Sequence, residues 1–593
     1  MRSARYSIGI ASAAALRATA ASLADVCTTA NVQSALPVDA VEGITLSTDS
    51  VTTNAVYNHS VSAGDLWPGK SGLDFCNVTF AYTRDGTSET TNVWYWLPSP
   101  DQFQGRYLTT GGGGFSITSG EQGLGNGLVY GAAAGTTDGG FGSWSAQLTD
   151  VILASNGTMD YQKLYNFGYR SIHEMTVLGK ALTKNFYGSG EDQRIYSYYQ
   201  GCSEGGREGW SQVQRYGSQF DGAAIGAPAF RMAFQQVAHL FSNVVEVTED
   251  YYPPPCELEK ITNDTIAACD ELDGRKDGVV GRSDLCKLHY NVSSSVGEPY
   301  ACAASSGGGG GGGAPGKRRK RQAPGGGSSS PAVNGTVSAA AARVAQLIND
   351  GLFDSQGRQA YVSYQPAAGF ADASTTYNSD TGTWEATASG IGVQWVNYFL
   401  EKKASTSLPL TNVTYDTLID WIMQGLQEYA DTVETTWPDL SALEAAGGKV
   451  IHFHGESDNS IPAASSVIYH DAVRRTMFPD MGFNESYAAL HDFYRLFLVP
   501  GAAHCGVNSD QPNGPFPQNV LGSVIEWVEG GVAPEKLNAT VLDGDDAAGE
   551  EQKICGFPLR PLWHGNDTMD CVYDQESIDS WLPKLDAIPV PVY

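Results

Sequence analysis

Residues 194–216 restrict the fold more than any other part of the chain. Arg194-Ile195-Tyr196-Ser197-Tyr198-Tyr199 reads as a buried strand and residues 205–216 as a helix, with only Gly201-Cys202-Ser203-Glu204-Gly205 to join them. A strand that turns directly into a helix belongs to an α/β arrangement, because the helix must cross back over the sheet before the next parallel strand begins. The alternation recurs on both sides. Residues 92–97 and 106–110 read as strands, the second running into Gly111-Gly112-Gly113-Gly114, and residues 165–186 as a helix. Residues 449–453 and 495–499 read as strands, and 520–529 as a helix. The prediction is α/β, with a parallel sheet. Residues from 230 to about 440 break the rhythm and are loop-rich, so they read as an insertion lying as a lid over the C-terminal edge of the sheet.

The turn carries a chemical signal as well. Gly201-Cys202-Ser203-Glu204-Gly205 fits G-x-S-x-G between strand and helix, the setting in which a strained turn lifts a serine hydroxyl clear of the sheet. Flanking glycines leave room for the turn, and the helix N-terminus favours negative charge beside the serine. Such a serine needs a base and an acid further along the chain. His504 lies in Pro500-Gly501-Ala502-Ala503-His504-Cys505-Gly506, directly after an apolar strand, and is the expected base. Asp458, in His454-Gly455-Glu456-Ser457-Asp458, is the expected orienting acid, with Glu456 as its competitor. His452 and His454 alternate on one strand face; without a third ligand in reach they read as hydrogen-bonded core residues rather than metal ligands. Cys202 precedes the serine and Cys505 follows the histidine. A bridge between them would hold the two Cα atoms ~5.5–6 Å apart and bring Ser203 to His504.

Charge narrows the partners. Of 593 residues, 65 are acidic and 36 basic, a net charge of −29, which repels nucleic-acid phosphates and anionic lipid. Neither nucleic acid nor a membrane is an expected partner. Arg2 and Arg5 followed by an Ala-rich stretch to Ala24 read as a signal peptide over residues 1–24, which makes the protein secreted and extracellular. Ten N-x-Ser/Thr sequons, at Asn58, Asn77, Asn156, Asn263, Asn291, Asn334, Asn412, Asn484, Asn538 and Asn566, and an even count of ten cysteines agree with that route and predict a disulfide-bonded glycoprotein. Residues 303–335 hold seven consecutive glycines and the run Lys317-Arg318-Arg319-Lys320-Arg321, and read as an exposed disordered loop. In the insertion, Cys269-Asp270-Glu271-Leu272-Asp273-Gly274-Arg275-Lys276-Asp277-Gly278-Val279 sets three aspartates among tight-turn glycines, a donor chemistry that suits Ca²⁺.

Cys-Ser, Asp and His-Cys in this order resemble the tannase and feruloyl esterase family of serine hydrolases, secreted fungal tannases in particular. The likeness rests on the segment from Gly201 to Gly209, on Tyr251-Tyr252-Pro253-Pro254-Pro255-Cys256-Glu257-Leu258, on the Asp458 and His504 segments, and more weakly on the tail Ile588-Pro589-Val590-Pro591-Val592-Tyr593. It implies an α/β-hydrolase fold with a large inserted lid domain: residues 25–229 and 440–593 catalytic, 230–439 the lid. The implied activity is hydrolysis of galloyl ester and depside bonds of gallotannins to release gallic acid. The alternative is a feruloyl esterase releasing hydroxycinnamic acids from plant cell-wall polysaccharide. By the same likeness Ser203 is the nucleophile, His504 the base and Asp458 its orienter, with an oxyanion hole from the backbone of Glu204 and of Gly112 or Gly113. Structural calcium is implied at the side chains of Asp270, Asp273 and Asp277 and the carbonyls of Arg275 and Val279. Which side chains read the galloyl hydroxyls stays open; Phe230, Phe234, Tyr251 and Tyr252 are lid aromatics that equally suit a core.

The basic run suits proteolytic processing, and cleavage after Arg321 would give two chains. Seven cysteines precede that point and three follow it, so full pairing requires at least one bridge across it. Cys202–Cys505 is the natural crossing pair, with Cys27–Cys76, Cys269–Cys286 and Cys555–Cys571 local and Cys256–Cys302 remaining. The two chains would stay joined by disulfide, and homo-oligomerisation is left open.

Overall fold

The computed structural model describes residues 21–190, 193–305, 330–544, 547–565 and 568–590. Most of the leader expected over residues 1–24, and the basic run Lys317–Arg321, lie outside the described residues. At the start of the described chain Ser22 caps the short helix Leu23–Val26 and Leu23 is buried.

The central element is a nine-stranded sheet. Its strands are β1 (Ile44–Val61), β2 (Lys70–Arg84), β3 (Thr90–Pro98), β4 (Arg106–Thr110), β5 (Ala132–Thr137), β6 (Tyr196–Cys202), β7 (Gly222–Gly226), β8 (Lys449–Gly455) and β9 (Tyr494–Val499). They lie in the order β1-β2-β3-β5-β4-β6-β7-β8-β9. Pairing is antiparallel from β1 through β5 and parallel from β5 through β9. The helices that pack on it are α1 (Glu121–Val129), α2 (Ser171–Phe186), α3 (Glu204–Arg215), α4 (Ala463–Met477) and α5 (Val520–Gly530).

Strand alternation assigns the faces. Tyr198, Ala224, Ile451 and Phe497 point to the side of α1 and α5, where Leu124, Leu128, Leu521 and Val524 cover them. Tyr199, Ala223, Ile225, Val450 and Leu496 point to the other side, where Met175, Leu178, Trp210, Val213 and Tyr469 cover them. His452 and His454 share that second face. A sheet covered on both faces explains why β6, β8 and β9 read as almost continuous apolar runs.

Among the described residues no strand of the large sheet comes from residues 230–439. That segment instead folds into helices such as Met232–Ala238, Phe241–Glu249, Pro255–Cys269 and Tyr415–Tyr429, with two-stranded ribbons between them. It enters after β7 and leaves before β8. Among the described residues no helix is long and apolar enough to cross a membrane.

Candidate active site

Ser203 stands between β6 and α3 with φ 65° and ψ −125°. A residue with a side chain held in such a region costs about 1–3 kcal/mol. Its neighbours make the turn feasible. A Cβ on Gly201 would collide with the Gly205 carbonyl, and one on Gly205 would lie 2.9 Å from the Gly112 carbonyl oxygen. Tyr199 fixes the turn from within the core by donating its hydroxyl to the Gly205 carbonyl at 2.6 Å.

The turn brings the serine to the loop after β9. Ser203 Oγ lies 2.8 Å from His504 Nε2 and donates to it. His504 Nδ1–H in turn donates to Asp458 Oδ2, also at 2.8 Å. Asp458 sits in the turn after β8 and is 1% exposed. Its Oδ1 accepts the amides of Ser460 and Ile461 at 2.8 and 2.9 Å. Its Oδ2 accepts His504 and also lies 3.2 Å from His454 Nε2. Burial pushes this carboxyl up, but the charge of His504 and the donated hydrogen bonds outweigh it and hold Asp458 well below the usual carboxylate range.

Glu456, the competing acid, is turned away from the histidine. It accepts Arg560 Nη2 at 2.7 Å and the Ser283 hydroxyl, inside a buried ion cluster that also holds Asp284 and Arg282. Cys202 and Cys505 are bridged with Cα atoms 6.0 Å apart. The remaining bridges are Cys27–Cys76, Cys256–Cys302, Cys269–Cys286 and Cys555–Cys571.

The glycine run differs from expectation. The Gly112 amide donates to Glu208 Oε2 at 2.8 Å, and the Gly113 amide to the Ser116 carbonyl at 3.0 Å. Both of these amides are therefore occupied here, and neither is a free oxyanion donor. The Glu204 amide is different. It begins α3, so it has no intrahelical acceptor. What the run does instead is lock to the nucleophile's helix, since the Gly205 amide also donates to the Gly112 carbonyl at 3.1 Å.

The inserted segment reaches the acid turn through residues that no local motif signals. His239 Nδ1 lies 2.8 Å from Asp372. Tyr364 donates to the same carboxylate at 2.7 Å and to the Ser460 carbonyl at 3.3 Å. Phe230 and Phe234 are core, packed against Tyr469 and Tyr361, and the Tyr251 hydroxyl donates to Glu257 at 2.8 Å.

The acidic loop of the insertion crowds its carboxylates together. Asp270 Oδ1 accepts the amides of Asp277 and Gly278 at 3.0 and 2.9 Å, and Asp277 pairs with Arg275 at 3.1 Å. Burial, and after it the neighbouring acids, pushes Asp273 up to about 7 and Asp277 up to about 6. Arg275 pairs with Asp277 and also with Glu550, and an oxygen-donor set of this kind suits a calcium ion. Among the described residues no three such side chains form a metal-binding group by themselves, so main-chain oxygens would have to complete the shell. Of the sequon asparagines, Asn566 lies outside the described residues, Asn77 is half-buried and the other eight are exposed.

Comparison with known proteins agrees with this geometry. The family described as tannase and feruloyl esterase matches residues 76–578. A tannase of Aspergillus oryzae is 50% identical over 587 residues, covering 98% of each chain. A probable feruloyl esterase of Arthroderma benhamiae is 31% identical over 496 residues, covering 84% of each. Among solved structures, a tannin acyl hydrolase from Aspergillus niger superposes with a TM-score of 0.91 at 52% identity, over 96% of this chain and 99% of that one. Feruloyl esterase B from Aspergillus oryzae gives 0.65 at 25% identity, over 91% and 100%. The fold is thus that of the α/β-hydrolase esterases, and the chain belongs to the tannase and feruloyl esterase family.

Proposed function

We propose that this chain is a tannase, a serine esterase that hydrolyses galloyl ester and depside bonds of gallotannins and releases gallic acid. The observation that carries the reading is the unbroken hydrogen-bonded line Ser203–His504–Asp458 on a strained turn. The 50% identity to a tannase over nearly the whole chain supports the galloyl substrate.

Ser203 Oγ attacks the galloyl carbonyl carbon while its proton passes to His504 Nε2. The oxyanion develops beside the N-terminus of α3 and the Glu204 amide. Collapse breaks the ester C–O bond, and the departing alcohol takes the proton from Nε2. Water then gives a proton to Nε2 and attacks the galloyl-enzyme. The second collapse frees gallic acid and returns the proton to Ser203. Asp458 holds the Nδ1–H tautomer throughout and offsets the imidazolium charge. Hydrolysis of methyl gallate against methyl ferulate tests the reading. Faster turnover of the gallate supports it. Preference for ferulate overturns the galloyl assignment in favour of a feruloyl esterase, and hydrolysis of neither overturns acyl transfer altogether.

Residues 230–439 act as the lid in this reading, and the exposed sequons carry glycans acquired on a secretory route. Side chains of Asp270, Asp273 and Asp277, with carbonyls of Arg275 and Val279, would hold a calcium ion that offsets their charge and braces the segment bridged by Cys269–Cys286. A chelator should then lower the melting temperature while kcat of the surviving enzyme changes little. An unchanged melting temperature together with no calcium by elemental analysis overturns the site.

A further inference from the structure

Behind Asp458 lies a buried line of polar side chains that the hydrolytic steps above do not use. His454 Nε2 faces Asp458 Oδ2 at 3.2 Å and the Ile461 carbonyl at 3.0 Å. His454 Nδ1 lies 2.7 Å from Ser466 Oγ, on α4. Ser466 Oγ lies 2.9 Å from His452 Nε2, and His452 Nδ1 lies 2.9 Å from the Tyr494 hydroxyl. His452, His454, Ser466 and Tyr494 all have 0% exposure. Four side chains from β8, α4 and β9 thus form one continuous chain that ends on the carboxylate.

Hydrogen-bond bookkeeping gives the chain a direction. Asp458 is ionised and the Ile461 carbonyl has no hydrogen, so His454 Nε2 must donate. The two imidazoles lie in one buried file, where like charges exclude each other. Burial first, and then His454, hold His452 well below the ordinary imidazole value, so His452 is neutral. If Ser466 donated to His452 instead, His452 Nδ1 would carry the hydrogen. Tyr494 would then lose its acceptor, and its hydroxyl has no other among the described residues. The run that satisfies every atom is Tyr494 to His452 Nδ1, His452 Nε2 to Ser466, Ser466 to His454 Nδ1, and His454 Nε2 to the Ile461 carbonyl, with Asp458 Oδ2 3.2 Å from the same nitrogen.

Among the described residues its neighbours are apolar or already committed. Trp210 and Phe230 pack their rings against His452, and Trp210 and His470 against Tyr494. His470 is itself held well below its ordinary value, first by burial. The Tyr469 hydroxyl is committed to the Trp437 carbonyl, and the buried Arg231 guanidinium donates to the Ser465 carbonyl.

We propose that His454 and Ser466, oriented by His452 and Tyr494, are positioning residues that fix Asp458 through a one-way file of donors. The carboxylate cannot rotate without losing either its two amides on Oδ1 or its two imidazoles on Oδ2. His504 is therefore aimed by a group that is itself held from the far side of β8. The idea rests on the acyl-transfer reading of Ser203, His504 and Asp458.

Ser466→Ala removes one oxygen from the file with almost no change in volume. The expected result is a fall in kcat of about 10-fold or more with KM within about twofold, because orientation rather than substrate contact is lost. The low-field proton resonance of the His504–Asp458 hydrogen bond should shift in the same variant, a readout that needs no substrate. Tyr494→Phe, which deletes only the terminal hydroxyl, keeps the test open if Ser466→Ala misfolds. It should shift that resonance less and lower kcat less, and Ser466→Thr should restore part of the loss. Folded Ser466→Ala with kcat and resonance unchanged overturns the proposal, as does Tyr494→Phe without a resonance shift. Loss of the acyl-transfer reading itself would appear separately, as wild-type protein that hydrolyses neither ester.

Discussion

Ser203 holds its φ of 65° at the expense of stability, so its substitutions separate chemistry from folding. Ser203→Ala should reduce turnover by about 10⁴-fold or more while the melting temperature stays near that of the parent. Ser203→Gly should be equally inactive yet more stable than Ser203→Ala, because glycine adopts that backbone without penalty. Equal melting temperatures would show that the turn stores no strain, and an active Ser203→Ala would refute the nucleophile. A different residue sets the pH behaviour of the fold. Glu246 is fully buried and among the described residues accepts only Asn243, at 3.1 Å; burial pushes it up to about 8, with Asn243 opposing. The folded carboxyl keeps its proton where the unfolded one, near 4.5, has lost it. Its stabilising contribution is therefore complete below about 4.5 and is lost as pH rises through about 8. Glu434, pushed up to about 7 by burial, acts with the same sign. The melting temperature should fall between about pH 5 and about pH 8, and Glu246→Gln should flatten that fall. Parallel curves for the two proteins would exclude Glu246 as the cause.

At the scale of elements, the glycine run depends on α3 for its position. Glu208 lies one turn into α3 and takes the Gly112 amide. Burial, then Glu204, raise Glu208 well above the ordinary carboxyl value against the pull of Arg207. Glu208→Gln should keep most of the activity, since a neutral amide oxygen accepts the same hydrogen. Glu208→Ala should free the run and lower kcat by about 10-fold or more, measured on the same ester. Comparable losses in both variants would show that charge matters rather than the hydrogen bond. This contact also accounts for how the Gly112 amide is occupied. A tetraglycine at a strand end reads as a donor loop, and nothing local reveals that Glu208, 96 residues further along the chain, claims one amide. The expectation of strands at 92–97, 106–110, 449–453 and 495–499 matches β3, β4, β8 and β9 within a few residues, because buried parallel strands are apolar end to end. β5, Ala-Ala-Ala-Gly-Thr-Thr, and β7, Gly-Ala-Ala-Ile-Gly, carry too little β-branched or aromatic character to be visible and are strands through their neighbours. β1 is rich in Ser, Thr and Asn at one edge of the sheet, where an exposed face removes the apolar signal. Ser203, Asp458 and His504 were legible because each stands in a short loop at the end of an apolar strand. The file behind Asp458 was not, because its members are spread over β8, α4 and β9 and only the alternation of His452 with His454 shows in the sequence.

Across the whole molecule, separate parts of the chain are tied together at the site. Arg560, near the C-terminal end, joins Glu456 of the acid turn to Asp284 of the inserted segment. Cys202–Cys505 spans 303 residues, and of the five bridges it alone crosses the stretch 306–329. If that stretch is cut after Arg321, the deglycosylated protein should run as one band without reductant and as two with it. Two bands without reductant would show that the bridge is not formed. The nucleophile precedes this stretch, and the acid and base follow it. In a molecule cut there without that one pair of sulfurs oxidised, only the packing of the shared sheet would hold the serine to its acid and base. Were the stretch cut, the bridge would turn that noncovalent hold into a covalent one, fixing the distance between nucleophile and base whatever the loop does.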